Sequence, residues 1–191
     1  MIAVMQEDLV RRHRLTVHEY YRMAEVGLLA PDARVELIEG EIIDMPPSGP
    51  PHASVLNRLS EKLILALSGT ATVRQQSPMH LDDFSEPEPD IAVVKQGHYG
   101  VAHPRPADVL LAIEVSLSSL SFDRNRKLPL YARAGIPEYW IVDVVKPVLH
   151  VLHTPQNGRY LHEASIPRPG LLTLSALADS QVDLTGLFEG L

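Results

Sequence analysis

Two short stretches set the strongest limit on how this chain can fold. Ile91-Ala92-Val93-Val94 and Val109-Leu110-Leu111-Ala112-Ile113-Glu114-Val115 are apolar at nearly every position. A strand with one face in water alternates apolar and polar residues, whereas a strand covered on both faces reads as a continuous apolar run. These segments therefore predict neighbouring central strands, with further layers on both sides of the sheet. Each carries one acid. Asp90 follows Pro89 at the mouth of the first, and Glu114 lies inside the second. Alternate side chains face opposite ways, so Glu114 shares its face with Ala112 and Ser116. A carboxylate there is expensive to bury unless it is paired or holds a metal. Neighbouring strands lie about 4.8 Å apart, so the two acids can chelate one hard cation such as Mg²⁺. The blander alternative is a structural ion pair for Glu114 and a plain strand start at Asp90.

The flanking sequence supplies the outer layers. Thr16-Val17-His18-Glu19 forms a capping box that opens a helix through about Leu29, ended by Pro31-Asp32. Val35 to Asp44 has strand character, and Pro46 to Pro51 is a rigid loop. From His52 to Leu67, Val55, Leu59, Leu63 and Leu67 recur every four positions, the pattern of an amphipathic helix stopped by Gly69. Thr72 to Leu81 reads as a strand, and Ser121 to Ala134 as a helix closed by Gly135. Strands follow at Tyr139–Val144 and Val148–His153. Gln156-Asn157-Gly158-Arg159 signals a hairpin into Tyr160–Ser165. The tail from Gly170 is expected to pack along an edge. This order predicts one α/β (α+β) domain over residues 1–191, a mixed central sheet flanked by helices with a C-terminal hairpin extension. Residues 1–14 are expected to form a loosely ordered extension.

Composition narrows the class of protein. No apolar run approaches the roughly 20 residues a bilayer span needs. Arg11, Arg12 and Arg14 precede no apolar segment of the kind a secretory leader carries, so the expected setting is the cytoplasm. The absence of cysteine removes disulfides, thiolate metal sites and cysteine nucleophiles. A net charge of −7, from 24 acidic and 17 basic residues, argues against a nonspecific nucleic-acid coat protein. It is compatible with an enzyme that gathers carboxylates around a cation. The serines from Ser116 to Ser121 lack the Gly-x-Ser-x-Gly frame of a nucleophile elbow, and there is no glycine-rich phosphate loop.

Pro89-Asp90 followed, 24 residues on, by Glu114-Val115-Ser116 resembles the split signature of the PD-(D/E)XK nuclease superfamily. More specifically, the chain resembles the restriction endonuclease family of the Uma type. The matching stretches are LTVHEYYRM, VELIEGEIIDMPPSGPPHASVLNRL, EPDIAVV, LAIEVSLSSLSFDRNRKLPLYARAGIPEYWIVD and the closing GLFEGL. The resemblance implies a restriction-endonuclease-like fold and a metal-dependent endonuclease acting on DNA. It implies Mg²⁺ or Mn²⁺ held by Asp90, Glu114 and the Val115 carbonyl, with Lys127 assisting the attacking water. The superfamily's lysine ordinarily closes the acid-X-lysine triplet, where this chain has Ser116. The family pattern moves it to the following helix, where Lys127 matches. Pro129 lies two residues on, so the helix is expected to start late or to kink there. Glu41 is the favoured third acid, with Glu36 next. His52 matches a family histidine at the start of the second helix, where it would touch a phosphate or merely cap the helix. Duplex cutting by a single-site domain allows a homodimer. The competing readings are a noncatalytic nucleic-acid- or protein-binding module that keeps the fold, and a metal-dependent hydrolase of small phosphate esters.

Overall fold

Capping and apolar periodicity account for the first elements of the computed structural model, which describes residues 12–191. Helix α1 (Val17–Glu25) starts at Thr16, whose hydroxyl accepts from the Glu19 amide while the Glu19 carboxylate accepts from the Thr16 amide. It stops at Val26 and Gly27, whose φ of +77° ends it before Pro31 is reached. Strands β1 (Val35–Ile38) and β2 (Glu41–Asp44) pair antiparallel. Where one continuous strand was expected, Glu39 and Gly40 both take positive φ, at 53° and 82°, and fold the segment into a tight hairpin. Helix α2 (Pro50–Leu67) buries Val55, Leu59, Leu63 and Leu67, the predicted stripe.

The main sheet has the order β3-β4-β5-β6-β7-β8. Its strands are β3 (Ala71–Gln75), β4 (Ile91–Lys95), β5 (Val109–Ser116), β6 (Glu138–Asp143), β7 (Val148–Gln156) and β8 (Arg159–Ile166). Strands β5 and β6 run parallel, and every other neighbouring pair runs antiparallel. The strand expected over Thr72–Leu81 ends at Gln75, because Gln76 adopts a positive φ and the chain leaves the sheet. Asn157 and Gly158 make the β7–β8 turn as predicted, with φ of 52° and 74°.

All eight residues of β5 and all six of β6 are buried, as strands covered on both faces are, with Glu114, Ser116, Glu138 and Asp143 buried among the apolar ones. Alternation along β4 and β5 divides the core in two. Ile91, Val93, Leu111, Ile113 and Val115 pack toward α2, whereas Ala92, Val94 and Ala112 pack toward Leu130 and Tyr131 on the far side. A short α3 (Leu120–Phe122), a π turn (Asp123–Lys127) and α4 (Leu128–Arg133) form one helical run on that far side. The tail forms a hairpin of β9 (Leu171–Leu174) and β10 (Leu177–Asp183). It lies over the α2 face of the core, not along a sheet edge: Leu174, Val182, Leu184 and Leu187 join that cluster. Arg58 and Lys62 of α2 tie it down by donating to the carbonyls of Leu187 and Asp183.

Arg14 is docked, its Nε donating to the Glu39 carbonyl at 2.8 Å and its guanidinium lying 4.4 Å from the Phe84 ring centre. The expected N-terminal extension therefore ends before Arg14, and its residues 1–11 lie outside the described part. Among the described residues no helix is long and apolar enough to cross a membrane.

Two glycines isolate the cost of this docking. Gly40 and Gly69 have similar φ, +82° and +77°, but a Cβ on Gly40 would meet Arg14 Cβ at 2.6 Å while one on Gly69 meets nothing within 4 Å. Gly69→Ala should cost about 1 kcal/mol of backbone strain, and Gly40→Ala clearly more, because the docked segment must also shift. Urea unfolding midpoints of the two variants check this; equal midpoints would contradict it.

Candidate active site

The paired acids arise from strand register. Ile91 lies opposite Ile113 at the start of β4, so Asp90, the residue before it, comes to lie beside the Glu114–Val115 end of β5. The Gln76 amide donates to the Asp90 carbonyl and anchors it beside the end of β3. Asp90 Oδ2 accepts the Val115 N–H at 2.8 Å. A residue's N–H and C=O point to the same side of a strand, so the Val115 carbonyl also faces the edge where β4 has ended. Asp90 Oδ1 lies 3.1 Å from His52 Nε2, in the first turn of α2. No side chain caps that turn, so His52 braces the carboxylate rather than the helix.

Glu114 is buried to 4% exposure. Its Oε1 accepts from Lys127 Nζ at 3.0 Å and from the Tyr131 hydroxyl at 2.9 Å. Lys127 also donates to Glu36 Oε1 at 3.0 Å, and Glu36 Oε2 accepts the Glu88 amide. Four elements, β1, β5, the π turn and α4, thus meet at one ammonium and its two carboxylates. The π turn resolves the conflict posed by Pro129. The Leu128 amide reaches back five residues to the Asp123 carbonyl, and this wider turn accommodates the proline ring without ending the helix. The α-helix proper begins at Leu128 with Pro129 in its first turn, one of the two expected arrangements, and Lys127 closes the π turn that leads into it.

These groups line a cavity of about 320 Å³. Glu36, His52, Asp90, Glu114, Val115 and Lys127 all contribute to its wall, and Glu41 does not. Glu41, expected as the third acid before Glu36, is exposed and paired with Arg126 at 2.8 Å away from the cavity wall, whereas Glu36 lies on that wall. The reason is the Glu39-Gly40 turn, which puts Glu36 and Glu41 on different strands of a hairpin. Asp123, unforeseen in the sequence, also lines the cavity. It accepts from the Ser116 and Ser119 hydroxyls at 2.6 Å each. The hydroxyl at the triplet's lysine place thus holds an acid instead of supplying charge. Tyr131, one turn beyond Lys127, packs in the core as expected and also bonds to Glu114.

The electrostatics are those of too many acids for one cation. Burial pushes the Glu114 carboxyl well up, reinforced by Asp123, Asp90 and Glu36 and opposed by Lys127. Burial also raises Asp123, with Lys127 and the two serines opposing. Burial alone would lower Lys127, but Glu114, Glu36 and Asp123 outweigh it and hold the ammonium charged. Glu88, half-buried at the cavity wall, is raised by burial and by Glu36, against Arg34. Among the described residues no three His, Asp or Glu side chains converge as a preformed metal cluster. Oxygens on this wall that a hard cation accepts include Glu114 Oε2, the Asp90 carboxylate and the Glu88 carboxylate, with the Val115 carbonyl beside them.

The Uma2 family model, described as "Putative restriction endonuclease", matches residues 17–185. No curated protein matches the chain. Among solved structures, a putative nuclease belonging to DUF820 from Anabaena variabilis is similar in fold. Its TM-score is 0.69 at 17% identity, over 91% of this chain and 97% of that one.

Lys127→Met removes the ammonium that faces Glu36 and Glu114 and should cost about 3–5 kcal/mol at neutral pH, because two buried carboxylates lose their partner. Glu114 is already held above its ordinary range. The folded variant therefore binds more protons than the unfolded chain, and its deficit should shrink as pH falls from about 8 to about 5. Thermal melts of variant and parent across that range test the sign. A deficit that grows on acidification would count against it.

Proposed function

Because this chain belongs to the Uma2 family of restriction-endonuclease-like proteins, we propose that it is a metal-dependent endonuclease cutting phosphodiester bonds in DNA. The observation that carries this reading is Asp90, at the mouth of β4, and Glu114, within β5, on the wall of one cavity with the Lys127 ammonium 3.0 Å from Glu114.

The donor set fits Mg²⁺ or Mn²⁺. All candidate ligands are oxygens, Glu114 Oε2 carries no hydrogen bond among the described residues, and the surrounding acids leave negative charge for a divalent ion to offset. In this reading Asp90, Glu114 and the Val115 carbonyl hold the ion. When bound, it would polarise the scissile phosphate, lower the pKa of the attacking water and offset the charge that develops. The protein's own groups do the rest. Lys127, kept charged by Glu36 and Glu114, orients the water and faces the negative charge gathering on the phosphate. Tyr131 fixes Glu114 through the oxygen that Lys127 also holds, leaving the second oxygen unbonded among the described residues. His52 and the Val115 amide fix Asp90. Glu36 positions Lys127 and is not itself a ligand.

The uninterrupted family match over residues 17–185 and the shared central sheet favour reading the described residues as one domain. A cysteine-free chain of this kind is proposed to act in the cytoplasm, with two copies cooperating where both strands of a duplex are cut.

Supercoiled plasmid should be cut with Mg²⁺ or Mn²⁺ and left intact with EDTA. Asp90→Ala, and Glu114→Gln, which keeps a side-chain oxygen on Lys127, should lower the rate by at least about a hundredfold with circular dichroism unchanged. Saturating Mg²⁺ should also raise the melting temperature of the parent by mass action, but not that of Asp90→Ala. Parent-like cutting by both variants would refute the assignment. A gel shift with no product would favour a noncatalytic module, and preferential hydrolysis of a nucleotide monoester would favour a small-ester hydrolase.

A further inference from the structure

The cavity that holds the acids presents a difficulty for its proposed substrate. Glu36, Glu88, Asp90, Glu114 and Asp123 line it, and Lys127 is buried and engaged by two of them. A nucleic-acid strand brings negative charge of its own, so its approach needs a cation that the carboxylates have not already taken. The surface arginines around the helical run do not serve, since Arg124, Arg126 and Arg133 are each ion-paired to a glutamate. Arg34 differs. It lines the cavity, is exposed, and makes no ion pair or side-chain hydrogen bond among the described residues.

Its place in the fold gives a direction as well. The neighbours of Arg34 in the chain, Ala33 and Val35, line a second cleft of about 320 Å³ walled by Tyr20 and Tyr21, and Glu88 lines both cavities. Arg34 therefore stands on the rim that separates them. A strand leaving the acid cavity toward the tyrosine cleft must cross this rim.

Building on the nuclease reading, we propose that Arg34 grips the phosphodiester next to the scissile one, where the strand passes from the acid cavity to the tyrosine-lined cleft. The planar guanidinium suits this task, since it offers two parallel N–H donors to one phosphate. A lysine there would keep the charge and lose the fork.

The test uses the full-length protein on a short DNA substrate with one cleavage site and Mg²⁺. Arg34→Ala should raise KM about tenfold, the loss of roughly one charge-assisted contact, with the effect concentrated in KM rather than kcat. Arg34→Lys should recover part of that loss. The slope of log affinity against log salt, read by anisotropy with Ca²⁺ replacing Mg²⁺, should fall by about one. A single neutral methylphosphonate beside the scissile position should weaken binding by the parent but not weaken Arg34→Ala further. Arg159→Ala, an exposed arginine on β8 that lines neither cleft, is the control. A parent-like KM and salt slope in Arg34→Ala would overturn the proposal, as would a loss confined to kcat or a methylphosphonate penalty undiminished in the variant. In those cases cleavage by the parent persists and the nuclease reading stands. A parent that neither binds nor cuts DNA would overturn both.

Discussion

The contact on which the rest of this structure depends is the ammonium of Lys127 held between Glu36 and Glu114. It is buried, so none of the three charges can turn to water if the others move, and each is tolerable only in the presence of its partners. The three residues come from a hairpin, a central strand and a helical run far apart in sequence. Their meeting therefore fixes how the outer layer sits on the sheet. The same contact leaves one Glu114 oxygen unengaged while Tyr131 and Lys127 hold the other.

Much of the fold was readable from the chain because it rests on local patterns. The continuous apolar runs of β4 and β5, the four-residue stripe of α2 and the Asn157-Gly158 turn each carry their own signal, and each appears where expected. Where the reading failed, a longer-range effect decided. The Glu39-Gly40 turn hid inside ten residues of strand-like composition, and it is this turn that sets Glu36 on the cavity wall and Glu41 away from it. The tail's apolar pieces announced burial without saying against what, and α2 supplied the surface.

The candidate site was legible to a similar depth. Asp90 and Glu114 stood out because an acid in a fully covered strand needs a reason, and the resemblance singled out Lys127. Asp123 carried no such mark. Its neighbours in sequence are charged and look like a solvated helix face; only the folded chain turns it inward to meet Ser116 and Ser119. Arg34 was equally silent, since an exposed arginine before a strand is commonplace until the cavity beside it is known.

The π turn at Asp123–Lys127 makes the count of residues, as much as their identity, a condition of the site. Such a turn is an α-helix carrying one surplus residue, and each residue advances a helix by about 100°. Dropping a single position between Ser119 and Lys127 would swing the lysine by roughly a quarter of a revolution, away from its carboxylates. Chain length in this stretch is thus as constrained as the residues that meet there, while the exposed loop around Val101 answers to no comparable arithmetic.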